Sequence, residues 1–199
     1  AQPPQTLVCA SAIGYYGNRG NEVLREESLP GTDFLAGVCR EWEAASLSAA
    51  ERGLRVVNMR IGIVLSPEGG ALAKLLTAFK MGAGGKVGSG NQYMSWIALD
   101  DVIGAIHHVL RTENLAGPVN TVAPHPVTNG EFTETLGRVL DRPTVFSVPA
   151  FAARLAFGEM ADALLLSSAR VEPTRLLKTN YHFLNPELEG ALRHLLGKQ

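Results

Sequence analysis

Thr6-Leu7-Val8-Cys9-Ala10-Ser11 and Arg55-Val56-Val57-Asn58-Met59-Arg60-Ile61 are two short apolar segments, and the stretch between them decides the fold. The first segment shows no alternation of polar and apolar residues, which suits a strand buried on both faces of a parallel sheet. A loop rich in Gly and Asn follows it. Asp33 then stands at an N-cap position, and Leu35, Val38, Cys39, Trp42, Ala45 and Ala49 recur at helical spacing until Gly53 stops the pattern. The second segment reads as the next strand, with an exit through Gly62, Ile63, Val64 and Leu65.

Further along, the pattern predicts a helix over 71–81, a glycine-rich loop over 82–90 and a short strand around Ser95-Trp96-Ile97. Asp100 or Asp101 opens a helix ending near Arg111. Thr128-Asn129-Gly130-Glu131 is a Ser/Thr-x-x-Glu capping box ahead of a helix that runs to Leu140. Strands alternating with helices in this order predict an α/β fold, a doubly wound parallel sheet of Rossmann type. After Pro149 the character changes to alanine-rich apolar residues and then to polar turns with short helical pieces, which reads as a small, mostly helical C-terminal lobe. The expected division is 1–148 and 149–199.

A chain of 199 residues that is 46% hydrophobic can bury one sizeable core. Its formal net charge of −1, with Lys and Arg scattered, provides no footprint for nucleic acid or an anionic membrane. No apolar run approaches the ~18 residues that a membrane span needs, and the N-terminus lacks a signal peptide's basic start. Cys9 and Cys39 form neither a Cys-x-x-Cys pair nor a disulfide framework, so the expected compartment is a reducing cytoplasm.

The glycine cluster Gly82-Ala83-Gly84-Gly85-Lys86-Val87-Gly88-Ser89-Gly90 follows a helix and precedes a strand. A dinucleotide fingerprint has the opposite context, so a flexible turn is expected rather than a phosphate cradle. Tyr15 and Tyr16 sit at the C-terminal end of the first strand, the edge where open α/β sheets bind ligands; one is expected to pack inward and the other to be a candidate donor. His107, His108, His125, His182 and His194 show no metal-ligand spacing and read as structural or surface residues. Glu41 and Glu43 flank Trp42 on the helix and diverge, which argues against a paired acid and base. No metal site is expected.

Several segments together carry a family resemblance: Ser11-Ala12-Ile13-Gly14-Tyr15-Tyr16-Gly17, Asp33-Phe34-Leu35-Ala36, Trp42-Glu43, Arg60-Ile61-Gly62-Ile63-Val64-Leu65, Gly69-Gly70-Ala71, Ser95-Trp96-Ile97, Ala123-Pro124 with Thr128-Asn129, and Gly158-Glu159. The chain resembles the extended short-chain dehydrogenase/reductases, and within them an atypical "epimerase family" subgroup that ends in a small domain of unknown function. In the extended family the strand ends in Ser/Thr-x-x-x-Tyr-Gly and the helix carries Tyr-x-x-x-Lys-x-x-x-Glu. The resemblance puts Ala12 in the Ser/Thr slot, Leu35 in the Tyr slot and Cys39 in the Lys slot. All three proton-handling groups are absent, and the catalytic residues are unknown. Leu35 cannot exchange protons, and an apolar setting raises a thiol above its free pKa of ~8.5, so Cys39 reads as structural.

The same resemblance implies NADP as cofactor, with Ala12, Cys39, Ile61, Gly62 and Val64 beside the nicotinamide half. Gly62 is expected to permit close approach there. Met94 falls where nucleotide-sugar enzymes carry an Arg for the diphosphate. Met cannot pair with phosphate, which points to an apolar or aromatic ligand near Tyr15, Met94 and Trp96; core packing is the other role open to Met94 and Trp96. The family's phosphate-binding half is expected to be missing, so that NADP(H) binds through the complete parent protein and weakly or not at all to this chain alone. The expected function is an NAD(P)-linked epimerase/dehydratase-like oxidoreductase acting on an unknown small molecule. A catalytically silent NADP-binding or regulatory protein, and a structural fragment, are the alternatives. A homodimer is open; nucleic-acid and membrane partners are not expected.

Overall fold

The computed structural model describes residues 4–157 and 161–198, so Gly158 and Glu159 of the family resemblance lie outside the described residues. In chain order the elements begin with Thr6–Ala12 (β1), a 3-10 turn at Ile13–Tyr16, Val23–Leu24 (β2), Phe34–Glu51 (α1), Arg55–Ile61 (β3), Ile63–Leu65 (β4) and Gly70–Lys80 (α2). They continue with Gly85–Val87 (β5), Tyr93–Met94 (β6), Trp96–Ala98 (β7), Leu99–Arg111 (α3), Gly117–Thr121 (β8), Val127–Thr128 (β9) and Asn129–Leu140 (α4). Phe146–Val148 (β10), Ala150–Phe157 (α5), a π-helical segment at Ala161–Leu166, Arg170–Val171 (β11), Thr174–Lys178 (α6) and Leu188–Leu195 (α7) complete the order.

The central sheet runs β1, β3, β8, all parallel, and its rows are in register: Ser11 with Arg60 and Asn120, then Ala12 with Ile61 and Thr121. One face is apolar. Val57, Met59 and Val119 meet Ala105 and Val109 of α3, with Val8 and Ile61 packed alongside. On the other face, Asn58 and Arg60 reach the polar side chains of α1. The expected α/β architecture is the one observed. The β1 strand is not buried on both faces, however: among the described residues it pairs only with β3, and Ser11 is its one buried residue.

Asp33 caps α1, its Oδ1 accepting the Ala36 N–H at 2.9 Å, and Gly53, at φ 85°, lies just past the helix end. The helix turns differently from its apolar pattern. Ala36, Cys39 and Ser46 are buried, while Trp42 is 61% exposed and Ala45 is exposed. The reason is the polar sheet face beneath: Arg60 and Asn58 draw Glu43 and Ser46 inward, and the Trp42 side of the helix rotates out.

The β3 strand leaves the central sheet through Gly62, and β4 then pairs with β7. A Cβ at Gly62 would stand 2.5 Å from the Ser95 carbonyl oxygen and 2.7 Å from Val122 Cγ1. Glycine is needed there because backbone approaches backbone, a packing requirement that stands beside the expected approach of the nicotinamide. The glycine cluster is not a flexible turn either. It contains β5, which pairs in parallel with β10, and Val87 N–H donates to Asn129 Oδ1 at 2.8 Å while Gly130 N–H donates to the Gly90 carbonyl at 2.8 Å. The capping box at Thr128 and Glu131 forms as expected and opens α4.

The residues after Pro149 are tied to the rest of the chain. β11 pairs in parallel with β2, and Leu188, Ala191 and Leu192 of α7 join one cluster with Leu65, Leu72, Trp96, Phe132 and Leu136. Fully buried Asp101 accepts the backbone N–H groups of Leu184 at 2.7 Å and Asn185 at 2.9 Å, with the Tyr181 hydroxyl as a further donor. That shared cluster predicts one cooperative unfolding transition. Leu192→Ala, which deletes a buried side chain where α7 meets α4, is expected to cost about 2 to 5 kcal/mol. Urea denaturation followed by circular dichroism checks this: the whole transition should move, whereas a separate early step would mean that α7 unfolds alone.

Candidate functional site

The polar row Ser11, Arg60 and Asn120 lies one residue before the C-terminal edge of the sheet. Arg60 is its centre. The Arg60 guanidinium donates from Nε to Glu43 Oε1 and from Nη2 to Glu43 Oε2, both at 2.8 Å, and its side chain is 3% exposed. Nη1 donates to the Tyr16 hydroxyl at 3.0 Å and to the Glu26 carbonyl at 3.2 Å. The Ser11 hydroxyl donates to Glu43 Oε1 at 2.8 Å, and the Tyr16 hydroxyl donates to Asn120 Oδ1 at 2.6 Å. A bidentate pair of this kind fixes geometry as well as charge.

The two tyrosines divide as expected, since Tyr16 is fully buried and Tyr15 is half-buried. The Tyr15 ring, however, covers the guanidinium of Arg60 at 3.4 Å and meets the Tyr16 ring edge to face. Burial pushes the Tyr16 hydroxyl up to about 12, although the neighbouring Arg60 charge opposes the rise. Tyr16 is therefore protonated throughout the neutral range and exchanges no proton there.

The slots of the family frame converge on one another. The Cys39 thiol lies against the Ala12 backbone and the Ser11 hydroxyl, and burial raises its pKa above the ordinary thiol value. A Cβ at Gly14 would be in ordinary contact with Leu35 Cβ at 3.6 Å and Cys39 Sγ at 3.8 Å, so the 3-10 turn sits on both Leu35 and Cys39. Ala12 and Ile61 are register partners at the edge, and half-buried Val64 follows Gly62 in β4. Met94 and Trp96 are elsewhere. Trp96 is fully buried with its Nε1 donating to the His125 carbonyl at 3.2 Å, and Met94 packs against the same core. Trp96 thus takes the core-packing role, in one cluster with Phe132, Leu136 and Leu192, while Met94 is partly buried beside it.

A polar pocket of about 340 Å³ opens beside this edge, lined by Tyr16, Gly17, Asn18 and Arg19 on one side and by 30–33 on the other. Its charges are engaged. Arg19 pairs with Glu22 at 2.7 Å and donates to the Leu29 carbonyl, and Asp33 caps α1. Among the described residues no group of His, Cys, Asp and Glu is arranged to hold a metal. His194 and His125 face Asp100 and Glu187, and His108, lowered by burial, meets Thr179, all within hydrogen-bond distance.

Comparison with known proteins places these features. Residues 1–122 match the NAD dependent epimerase/dehydratase family, and residues 148–195 match a domain of unknown function, DUF1731. The chain belongs to the NAD dependent epimerase/dehydratase family. It is 46% identical over 187 residues to the epimerase family protein MT2273 of Mycobacterium tuberculosis, covering 94% of this chain and 62% of that one. Human epimerase family protein SDR39U1, solved with NADPH, superposes with a TM-score of 0.92 at 33% identity, covering 100% of this chain and 67% of that one. A nucleoside-diphosphate sugar epimerase from Corynebacterium glutamicum superposes at 0.79 with 38% identity, over 97% of this chain and 38% of that one. The chain thus spans about three fifths of the mycobacterial relative's length.

The family pattern marks Glu43 as the Glu of Tyr-x-x-x-Lys-x-x-x-Glu but does not show that it pairs with Arg60, and the signal for that pairing is the polar alternation Asn58, Arg60 within an apolar strand. Their bond carries a prediction. Glu43→Gln leaves the buried guanidinium without its anion and is expected to cost about 3 to 5 kcal/mol in urea denaturation. The double variant Glu43→Gln with Arg60→Met should recover much of that loss. Additive losses in the double-mutant cycle would show that the two side chains are not coupled.

Proposed function

We propose that this chain forms the nicotinamide-side and C-terminal part of an NADP(H)-dependent oxidoreductase of the epimerase/dehydratase type, one that works without a tyrosine and lysine pair. The observation that carries the reading is the retained edge: Ala12 and Ile61 in register, with Cys39 beneath them, in a chain whose human relative was solved with NADPH. Small, half-buried apolar side chains suit the flat face of a nicotinamide ring. For a diphosphate, the described residues fit poorly. Arg60 and Arg19 are already paired, Met94 is uncharged and partly buried against the core, and in the glycine cluster the Val87 and Gly88 amides donate to Asn129 and Val148.

NADP(H), when bound, supplies the hydride. The chain's own contribution is to position the ring against Ala12, Ile61 and Val64 and to offer the neighbouring polar pocket to a small molecule. Tyr16 holds its proton, and so does Cys39 under a pKa raised by burial. That inventory also supports the second reading, a catalytically silent NADP-binding protein. We place the protein in the cytoplasm on its two free thiols, without nucleic-acid or membrane partners and open to forming a homodimer.

Fluorescence titration with NADPH tests the first reading. The chain alone should bind weakly or not at all. A chimaera that adds the part of the M. tuberculosis relative without a match here should bind saturably, and Ala12→Phe, which fills the ring's place, should weaken it at least about tenfold, roughly 1.4 kcal/mol. Unchanged affinity in Ala12→Phe would remove the nicotinamide from this edge. Oxidation of NADPH by the chimaera against a panel of carbonyl compounds then separates an enzyme from a silent binder.

A further inference from the structure

Two buried carboxylates hold the C-terminal residues to the sheet, and they are satisfied very differently. Asp101 has donors on both oxygens, Leu184 N–H on Oδ1 and Asn185 N–H on Oδ2. Glu26, only 4% exposed, has donors on one. Its Oε1 accepts the Asn120 N–H at 3.2 Å and the Arg175 N–H at 3.0 Å, bridging β8 and α6, while Oε2 is buried without a hydrogen-bond partner among the described residues.

We propose that Glu26 is a proton-dependent clasp, whose neutral carboxyl locks α6 onto β8 and whose ionised carboxylate lets α6 go. An unpartnered oxygen that carries half of a negative charge is far costlier to bury than one in a neutral carboxyl. The charged and titratable groups around it do not supply the missing partner. From β3, Arg60 is spent on Glu43 and reaches only the Glu26 carbonyl; from α6, Arg175 donates Nη1 to the Ala116 carbonyl. The Tyr16 hydroxyl, from the 3-10 turn, points to Asn120, and Glu172 beyond Asn120 is paired with Arg25. Burial raises the Glu26 pKa, with the backbone N–H groups of Arg175, Glu26 itself and Asn120 and the Arg175 charge opposing it.

The sign follows from linkage. A carboxyl whose folded-state pKa is raised contributes stability that is complete below its unfolded pKa and is lost as pH rises through the folded pKa. The clasp is closed on the acid side and opens on the alkaline side. Because Asn120 also receives the Tyr16 hydroxyl, opening loosens the row beside the polar pocket. This inference does not depend on the cofactor reading.

Carboxyl carbon NMR on the unmodified chain tests the clasp directly: the Glu26 resonance should titrate above the ordinary Glu range. A resonance already ionised at pH 4.5 overturns the proposal. Amide hydrogen exchange gives the structural readout. After correction for intrinsic rates, opening at Arg175 and Asn120 should increase about tenfold per pH unit between the ordinary and the folded pKa of Glu26. Glu26→Gln keeps the Oε1 acceptor and cannot ionise. It should abolish that increase and melt no lower than the wild type at pH 8; an unchanged pH slope in this variant also overturns the proposal.

Discussion

The guanidinium of Arg60 is the constraint around which the α1 side of the structure is arranged. A charge 3% exposed in the middle strand of a sheet has to be matched on every side, and it is. Glu43 supplies the anion from α1, Tyr16 and the Glu26 carbonyl accept its remaining N–H bonds, and the Tyr15 ring closes the open face at 3.4 Å. The rotation of α1, the inward turn of the Tyr15-Tyr16 pair and the path of the loop through Glu26 all follow from that satisfaction. The cost of such an arrangement is large, because a buried ion pair gains little over a well-packed apolar one. What it contributes is uniqueness of register: a one-residue slip of β3 would send Arg60 into the apolar face that holds Val57 and Met59.

The opposite face works by ordinary burial. Val57, Met59, Val119, Ala105 and Val109 enclose one another without polar atoms, and α3 lies across them. The outer side of α3 nevertheless carries Leu99, Ile103, Ile106 and Leu110, all exposed, at spacings of three and four residues. Together with the β1 edge they form an apolar side that these described residues leave uncovered.

Much of this was legible in the sequence, for reasons specific to each element. Arg55–Ile61 reads as a strand because β-branched residues cluster there, and Thr128 with Glu131 marks the start of α4 because the reciprocal cap needs those side chains at that spacing. The Ala12, Leu35 and Cys39 slots meet in space because a helix and a strand end bring them together whatever their chemistry. The inward face of α1 was not legible. Hydrophobic periodicity ranks Trp42 above Glu43, and the order reverses because Arg60 stands on the facing strand. The order within 82–90 was hidden similarly, since its partners, β10 and Asn129, lie some 40 to 60 residues further along the chain. Gly62 announces close approach without saying whether a ligand or a strand approaches.

The edge of the sheet therefore has an unusual chemical character. A carbonyl reduction needs a hydride and a proton, and near neutral pH the proton must come from a group that titrates close by. Every candidate near this edge is shifted by the same cause, burial. Burial lifts Tyr16 to about 12 and raises Cys39, and it raises Glu26 from below toward neutrality. Of the three, only the carboxyl moves toward working pH instead of away from it. Its position, bonded to β8 and α6 and separated from the pocket by Tyr16 and Asn120, makes it a group that governs structure rather than one that touches substrate. The apolar Ala12 and Leu35 near the edge and the buried, titratable joint nearby are thus separate features. The first limits the chemistry available at the edge, and the second decides at which pH the wall beside it stays closed.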